Sequence, residues 1–236
     1  PGGGPASRRS RDPLRGIGRF LVVVTTMQTN LFLVRHAPVV GQHGRCYGTT
    51  DVECDTTDAK AFAGLAAILP GVDALWTITP LSRTKRTADA VWAARQAPPP
   101  AYRLVPELIE QCFGDWQGKT YAELGAYGHG DAGATHRHWL TMADIKPAGG
   151  EGFVEVCARV ARGLDAVLET AKGGDVAMVC HGGVIRAALA YALGVSPEAA
   201  LSISVDTLSV TRLDRFEGPG RGHAWRVGYV NRDPRG

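Results

Sequence analysis

Four apolar runs, each ending in a cluster of polar and reactive side chains, punctuate this chain. Asn30–Val34 leads into Arg35-His36, Ala74–Ile78 into Thr79-Pro80-Leu81-Ser82-Arg83, Tyr102–Val105 towards Glu110, and Asp175–Cys180 into His181-Gly182-Gly183. From Leu31 onward the first run does not alternate, the pattern of a strand buried on both faces of a parallel sheet rather than one with a wet face. Between the runs the spacing turns helical. Thr57–Leu69 carries Ala63, Ala66, Ala67 and Leu69 before Pro70-Gly71 stops it, and Ser82–Gln96 ends at Pro98-Pro99-Pro100. Glu151–Ala171 is the clearest helix, with Phe153, Val156, Cys157, Val160, Leu164, Val167 and Leu168 at three- and four-residue steps. Gly182–Leu193 forms another through Val184, Ile185, Ala188, Leu189 and Leu193.

Two stretches lack this regularity. Gly41–Asp55 is punctuated by Gly41, Gly44 and Gly48 and reads as a loop. Pro106–Gly150 is the least regular segment, and an insertion lying over the strand ends suits it. Near the end, Ile203–Leu213 and Ala224–Val230 flank Phe216-Glu217-Gly218-Pro219-Gly220, which predicts a closing antiparallel pair. Strands alternating with helices at this spacing predict an α/β fold: a three-layer α/β/α sandwich with a mostly parallel sheet and one antiparallel edge.

At 236 residues and 44% hydrophobic content, the chain is long enough for one substantial core. Its formal charge of +3 owes much to Arg8, Arg9, Arg11, Arg15 and Arg19, which face only Asp12. Residues 1–26 therefore read as a disordered or non-native extension, Met27 as a candidate start, and 27–236 as the folded domain. Docking of the arginine-rich tail on an anionic membrane or nucleic acid is the alternative for that segment. No basic stripe with interleaved aromatics marks the folded part, so nucleic acid is not an expected partner. Phe20–Val24 is far short of the ~20 residues of a membrane span. Five cysteines without a Cys-x-x-Cys pair fit reduced thiols and a cytoplasmic setting. Cys180, beside His181, is open to reading as a nucleophile, although a small buried cysteine ending a strand is the commoner role.

In open α/β sheets ligands bind outside the carboxyl ends of the strands, where groups distant in sequence meet. Here that crevice would collect His36, His181, Arg35, Arg83 and Glu110. Arginine forks match the oxygens of a tetrahedral anion in pairs. A neutral imidazole between them is placed to attack phosphorus, while a carboxylic acid gives a proton to the departing alcohol. The two arginines should disfavour the imidazolium form of His36. The helix start after His181 favours an anion. No metal or other cofactor is then needed to neutralise the phosphate.

Four motifs in this order resemble the histidine phosphatase superfamily, which includes cofactor-dependent phosphoglycerate mutases and many phosphomonoesterases. They are Leu33-Val34-Arg35-His36, Thr79-Pro80-Leu81-Ser82-Arg83-x3-Thr87-Ala88, Glu110-x3-Gly114-x-Trp116-x-Gly118, and His181-Gly182-Gly183-Val184-Ile185-Arg186. Gly44-x-Cys46-Tyr47-Gly48-x2-Asp51-Val52, Phe113-Gly114-Asp115-Trp116 and Pro147-x-Gly149-Gly150-Glu151 resemble its α-ribazole phosphatase branch. The resemblance implies His36 as the phosphorylated nucleophile, Arg35 and Arg83 as phosphate clamps, Glu110 as proton donor and His181 as a phosphate-binding partner. It implies a small phosphorylated metabolite such as α-ribazole 5′-phosphate as substrate, and a homodimer is compatible with it. A broad-specificity phosphatase, a mutase, or a module that binds phospho-ligands without turnover are the competing readings.

Some positions depart from the family pattern. Ala37 stands for the usual glycine, Val39 for a threonine and Thr77-Ile78-Thr79 for a serine pair, while Gln42, where an asparagine is frequent, is taken with Arg35 and Arg83 as a phosphate-binding residue. Glu107, one helical turn from Glu110, competes for the role of acid, with the Gly114 and Trp116 spacing favouring Glu110. His136-x-His138, with His129 nearby, has the look of a metal pair, yet no carboxylate or thiol stands at ligand spacing, which favours surface or lid histidines. Trp116 and Trp139 are open to stacking on a substrate base or to ordinary packing.

Overall fold

The computed structural model describes residues 27–42, 44–126 and 140–236, together with residue 2. The N-terminal extension (save that one residue), His129 and the His136-Arg137-His138-Trp139 cluster thus lie outside the described residues. The elements run β1 (Met27–Arg35), α1 (Ala59–Ile68), β2 (Leu75–Ile78), α2 (Ser82–Ala94), β3 (Arg103–Leu104), α3 (Tyr121–Ala126), α4 (Phe153–Ala171), β4 (Gly174–Cys180), α5 (Gly182–Leu193), α6 (Pro197–Leu201), β5 (Val210–Glu217) and β6 (Trp225–Arg232). Short 3₁₀ turns occupy Pro106–Leu108 and Gly114–Trp116.

One six-stranded sheet has the order β3-β2-β4-β1-β5-β6. β3, β2, β4 and β1 are parallel, whereas β5 and β6 add antiparallel at the β1 side. This is the expected mostly parallel sheet with an antiparallel edge. Side-chain alternation along β1 divides the core in two. Leu31 and Leu33 pack with Val176 and Met178 of β4 against α4 and α5, through Val156, Val160, Leu164, Val184 and Ile185. Phe32 and Val34 point the other way with Ala177 and Val179, against α1 and α2 through Phe62, Leu65, Val91 and Trp92. A strand buried on both faces has no polar side to offer, which is why its sequence does not alternate.

The helix ends follow local chemistry. Asp58 caps α1 by accepting the Ala61 N–H at 2.9 Å, so the helix begins two residues after the expected Thr57. Ser196 caps α6 at Ala199 N–H (3.2 Å), with Pro197 in its first turn. One expected boundary is corrected. The strand predicted over Ile203–Leu213 begins only at Val210, because Ile203 and Val205 belong to an irregular link after α6 and turn their carbonyls onto Arg186 and Arg35. Among the described residues, the 106–150 region is irregular as expected apart from α3 and the two 3₁₀ turns.

Leu33 is wholly buried two residues before Arg35. Leu33→Ala should cost about 2–5 kcal/mol, read as a lower urea midpoint at unchanged slope. A shift under ~1 kcal/mol would show that this face of β1 is not close-packed.

Candidate active site

Strand register assembles the site. β1 and β4 are parallel neighbours in which Arg35 sits opposite Cys180, so the next residues, His36 and His181, emerge side by side. The His36 N–H donates to the Cys180 carbonyl at 3.0 Å, and the two rings meet edge-on with centroids 5.2 Å apart. On the other side of β4, Thr77 of β2 pairs with Met178, which brings Thr79 and the start of α2 to the same level. Both histidines are fully buried.

The proton on His36 is placed by its neighbour. Nδ1 lies 2.7 Å from the Ala37 carbonyl, which only accepts, so Nδ1 carries the hydrogen and Nε2 of a neutral ring carries the lone pair. That Nε2 is buried without a protein partner. In turn the Ala37 N–H donates to Thr87 Oγ1 at 2.9 Å, which fixes the turn after the strand. His181 is held by a 2.9 Å hydrogen bond between Nε2 and Thr79 Oγ1, and its Nδ1 is the unpartnered nitrogen. Burial holds the His36 pKa well below its ordinary value, aided by Arg83 and Arg35 and opposed by the Ala37 hydrogen bond. For His181, burial again comes first, followed by His36, Arg83, Arg159 and Arg35.

The arginines are anchored by backbone oxygens instead of carboxylates. Arg83, on α2, donates from Nη1 to Thr50 (2.8 Å) and from Nη2 to Gly48 (2.7 Å). Gly48 is required there: its φ is +43° and a Cβ would lie 2.4 Å from Gln117 Oε1 and 2.7 Å from the Gln111 carbonyl. Arg35 donates from Nη1 to Val205 at 2.6 Å. In both arginines Nε is buried and unpartnered. Arg35 Nε and Arg186 Nη1 lie over Gly182, 3.5 and 3.2 Å from where a Cβ would stand. Tyr47 borders the site, its ring 6.5 Å from that of His36 and 5.3 Å below the Arg83 guanidinium carbon.

Glu110 arrives from the irregular segment. Its Oε2 is 3.4 Å from the Gly183 N–H in the first turn of α5, and a Cβ on Gly183 would stand 2.5 Å from Oε1. Glu107 is exposed, and its Cβ abuts Gly163 of α4 instead. The structure therefore brings His36, His181, Arg35, Arg83 and Glu110 together. Gln42 is not joined to them by any hydrogen bond of its side chain; half-buried, it accepts the Arg45 N–H at its carbonyl. Cys180 is buried in the core, and burial raises its thiol pKa, which opposes a thiolate role. Trp116 packs against Cys46, Phe113 and Leu124. No cluster of three or more metal-ligating side chains occurs among the described residues. No helix among them is long and apolar enough to cross a membrane.

Sequence reasoning assigned no role to Thr79, Tyr47 or Arg186. Arg186 stands within the last motif, and Thr79, a departure from the family's serine, keeps the hydroxyl that His181 uses.

Sheet order and site together define an α/β protein whose crevice gathers two neutral imidazoles and at least two arginines at the carboxyl ends of β1, β4 and β2. The chain belongs to the histidine phosphatase superfamily (branch 1), whose model matches residues 31–228. A bifunctional protein of Mycobacterium tuberculosis is 32% identical over 189 residues, 78% of this chain and 49% of that protein. The chain thus spans about half the length of that relative. The adenosylcobalamin/α-ribazole phosphatase of Escherichia coli is 28% identical over 178 residues, 75% of this chain and 85% of that one. Among solved structures, the native mycobacterial glucosyl-3-phosphoglycerate phosphatase superposes with a TM-score of 0.69 at 26% identity, covering 87% of this chain and 99% of its own.

The depressed histidine pKa values have a thermodynamic consequence. Below about pH 6.5 the unfolded chain takes up protons that the folded chain refuses, so stability is full above that pH and falls as pH drops towards the folded values. Each imidazole should contribute a slope of up to about 1.4 kcal/mol per pH unit. Urea midpoints between pH 7.5 and 5 should fall in the wild type and fall less in His36→Asn, while parallel profiles would rule out a buried neutral His36.

Proposed function

We propose that this chain is a phosphomonoesterase that works through a phosphohistidine at His36. The observation carrying this reading is the set of four buried nitrogens without protein partners at the strand ends: Arg35 Nε, His36 Nε2, Arg83 Nε and His181 Nδ1. Three are suited to donate to a tetrahedral anion, and one presents a lone pair in their midst. Such groups are costly to bury unless a ligand completes them, and a phosphoryl group supplies three acceptor oxygens and an electrophilic phosphorus.

In the first step the His36 Nε2 lone pair attacks phosphorus as the ester P–O bond breaks. Glu110, in its acid form, gives its proton to the leaving alkoxide. Arg35, Arg83 and His181 donate to the equatorial oxygens as charge develops. His181 does so when Nδ1 carries its proton and Nε2 accepts from Thr79. Water then attacks the phosphohistidine, the N–P bond breaks, and Glu110, now carboxylate, takes the water proton. Gln42 belongs to this reading as an outer phosphate contact. Charge neutralisation by the arginines means that the step as written uses no metal ion.

The substrate class is a small phosphorylated metabolite. α-Ribazole 5′-phosphate comes first, supported by the Escherichia coli relative and by the Gly44–Val52 and Pro147–Glu151 motifs, and would place the chain in cobalamin biosynthesis. A sugar phosphate ester is the second reading, favoured by the superposition on glucosyl-3-phosphoglycerate phosphatase.

Phosphate release in the presence of chelator is the test, with α-ribazole 5′-phosphate, glucosyl-3-phosphoglycerate, 3-phosphoglycerate and an aryl phosphate as substrates. Activity should fall about 10³-fold or more in His36→Ala, as for loss of a covalent nucleophile, and acid quenching should trap no phosphoenzyme in that variant. Activity on the aryl ester alone would retain the chemistry and remove the metabolite assignment. Binding of phosphate esters without turnover would replace the enzyme by a binding module.

A further inference from the structure

Glu110 lies on a segment of no regular structure, six residues beyond the end of β3. An acid that must meet a leaving oxygen within a few tenths of an ångström cannot rely on such a segment alone. α4 supplies what the segment lacks. Arg159, on that helix, donates from Nη1 to the carbonyls of Glu107 (2.8 Å) and Ile109 (2.7 Å), and from Nη2 to that of Glu110 (3.1 Å). The rest of its fork meets Glu151, Nε to Oε1 at 2.7 Å and Nη2 to Oε2 at 2.8 Å. All five guanidinium N–H groups are thereby used.

Glu151 closes the other side. Its Oε2 also accepts the Cys112 N–H at 3.0 Å, its own N–H donates to the Cys112 carbonyl at 2.7 Å, and its carbonyl accepts Gln111 Nε2 at 2.8 Å. One turn along α4 from Arg159, Gly163 lets the 3₁₀ turn approach so closely that a Cβ would come 2.8 Å from Glu107 Cβ. The Arg159 and Glu151 side chains are only 12% and 25% exposed, so the pair is shielded from solvent screening. Apart from the Arg159–Glu151 pair itself, every bond in this set runs to main-chain atoms between residues 107 and 112 or to the Glu151 backbone, and none engages the Glu110 carboxylate.

We propose that Arg159 and Glu151 form a positioning clamp that holds the Glu110 carboxyl at the first turn of α5. They touch no reacting atom and act through the backbone on either side of the acid. The chemical role of Glu110 rests on the phosphatase reading above, while the clamp itself is a statement about geometry. A lysine at 159 keeps the charge but presents its three donors from one point, and cannot span three carbonyls and a carboxylate.

The test pairs two measurements on wild type, Arg159→Lys and Glu151→Gln. In the first, kcat/KM is compared across phosphate esters of rising leaving-group pKa, from p-nitrophenyl to alkyl. Proton donation matters little for a nitrophenolate and much for an alkoxide. Each variant should therefore lose about 30-fold or more on alkyl esters and less than about 3-fold on the nitrophenyl ester, steepening the leaving-group dependence. An equal loss on every ester, or none, would overturn the clamp and leave Arg159 a merely structural residue.

The second measurement is amide hydrogen exchange. It should rise at Glu110–Cys112 in both variants while α4 amides stay protected, which also certifies folding. Unchanged exchange at those amides would overturn the clamp whether or not the chain hydrolyses esters. If the wild type shows no hydrolysis sensitive to His36→Ala, the phosphatase reading fails by itself, and exchange still decides the clamp.

Discussion

Everything at the site depends on the register of two parallel strands. Because Arg35 faces Cys180 across the β1–β4 ladder, the residues that follow leave the sheet together, and a slip of one position would turn one imidazole to the opposite face. The register is fixed by burial on both sides. Leu31 and Leu33 fill one layer while Phe32 and Val34 fill the other, so a one-residue shift would force both layers to repack. Placement of the two histidines and core packing are thus one constraint, since the side chains that stabilise the sheet also determine where His36 and His181 stand.

That placement has an electrostatic consequence. The arginines beside the histidines are stabilised by carbonyl dipoles from Gly48, Thr50 and Val205, which orient a guanidinium without cancelling its charge. A carboxylate on each fork would have been the stronger partner, but it would also have repelled a phosphoryl group. Burial first, and then this surplus positive potential, disfavours the protonated form of both imidazoles. A neutral His36 with its hydrogen on Nδ1 presents its lone pair inside a field built for an anion. Preorganisation of this kind needs no solvent reorganisation when charge develops.

Much of this was legible in the residues. Continuous apolar runs gave the parallel strands, the three- and four-residue steps gave α4 and α5, and the reactive clusters behind the runs gave the five groups that converge. The misses share a physical cause. Ile203 and Val205 read as strand because apolar composition reports burial, not hydrogen bonding, and their carbonyls serve Arg186 and Arg35 instead of a ladder. α3 and α6 carried cap signals that the pattern reading passed over: Thr120 with Glu123 in a reciprocal pair, and Ser196 followed by Pro197. Glu151 appeared only as the end of a glycine motif, and Arg159 as one polar position on an amphipathic helix. Their partners are main-chain oxygens and amides some forty to fifty residues away, and such contacts leave no periodicity to read.

The way each group is held follows from the element that carries it. His36 and His181 sit at the ends of strands whose ladders already fix the backbone, so each needs only one further hydrogen bond, His36 to the Ala37 carbonyl and His181 with the Thr79 hydroxyl, to set its ring. Arg83 rides on a helix and is steered by two loop carbonyls. Glu110 has neither ladder nor helix beneath it, and in the proposed reaction, where it gives and then takes a proton, it cannot itself be tied down by a strong ion pair without losing that freedom. The restraint must then act on the backbone around it. A guanidinium that bonds three carbonyls between residues 107 and 110, locked to a carboxylate that bonds the Cys112 amide beyond, restrains the chain on both sides and leaves the Glu110 side chain to face the crevice.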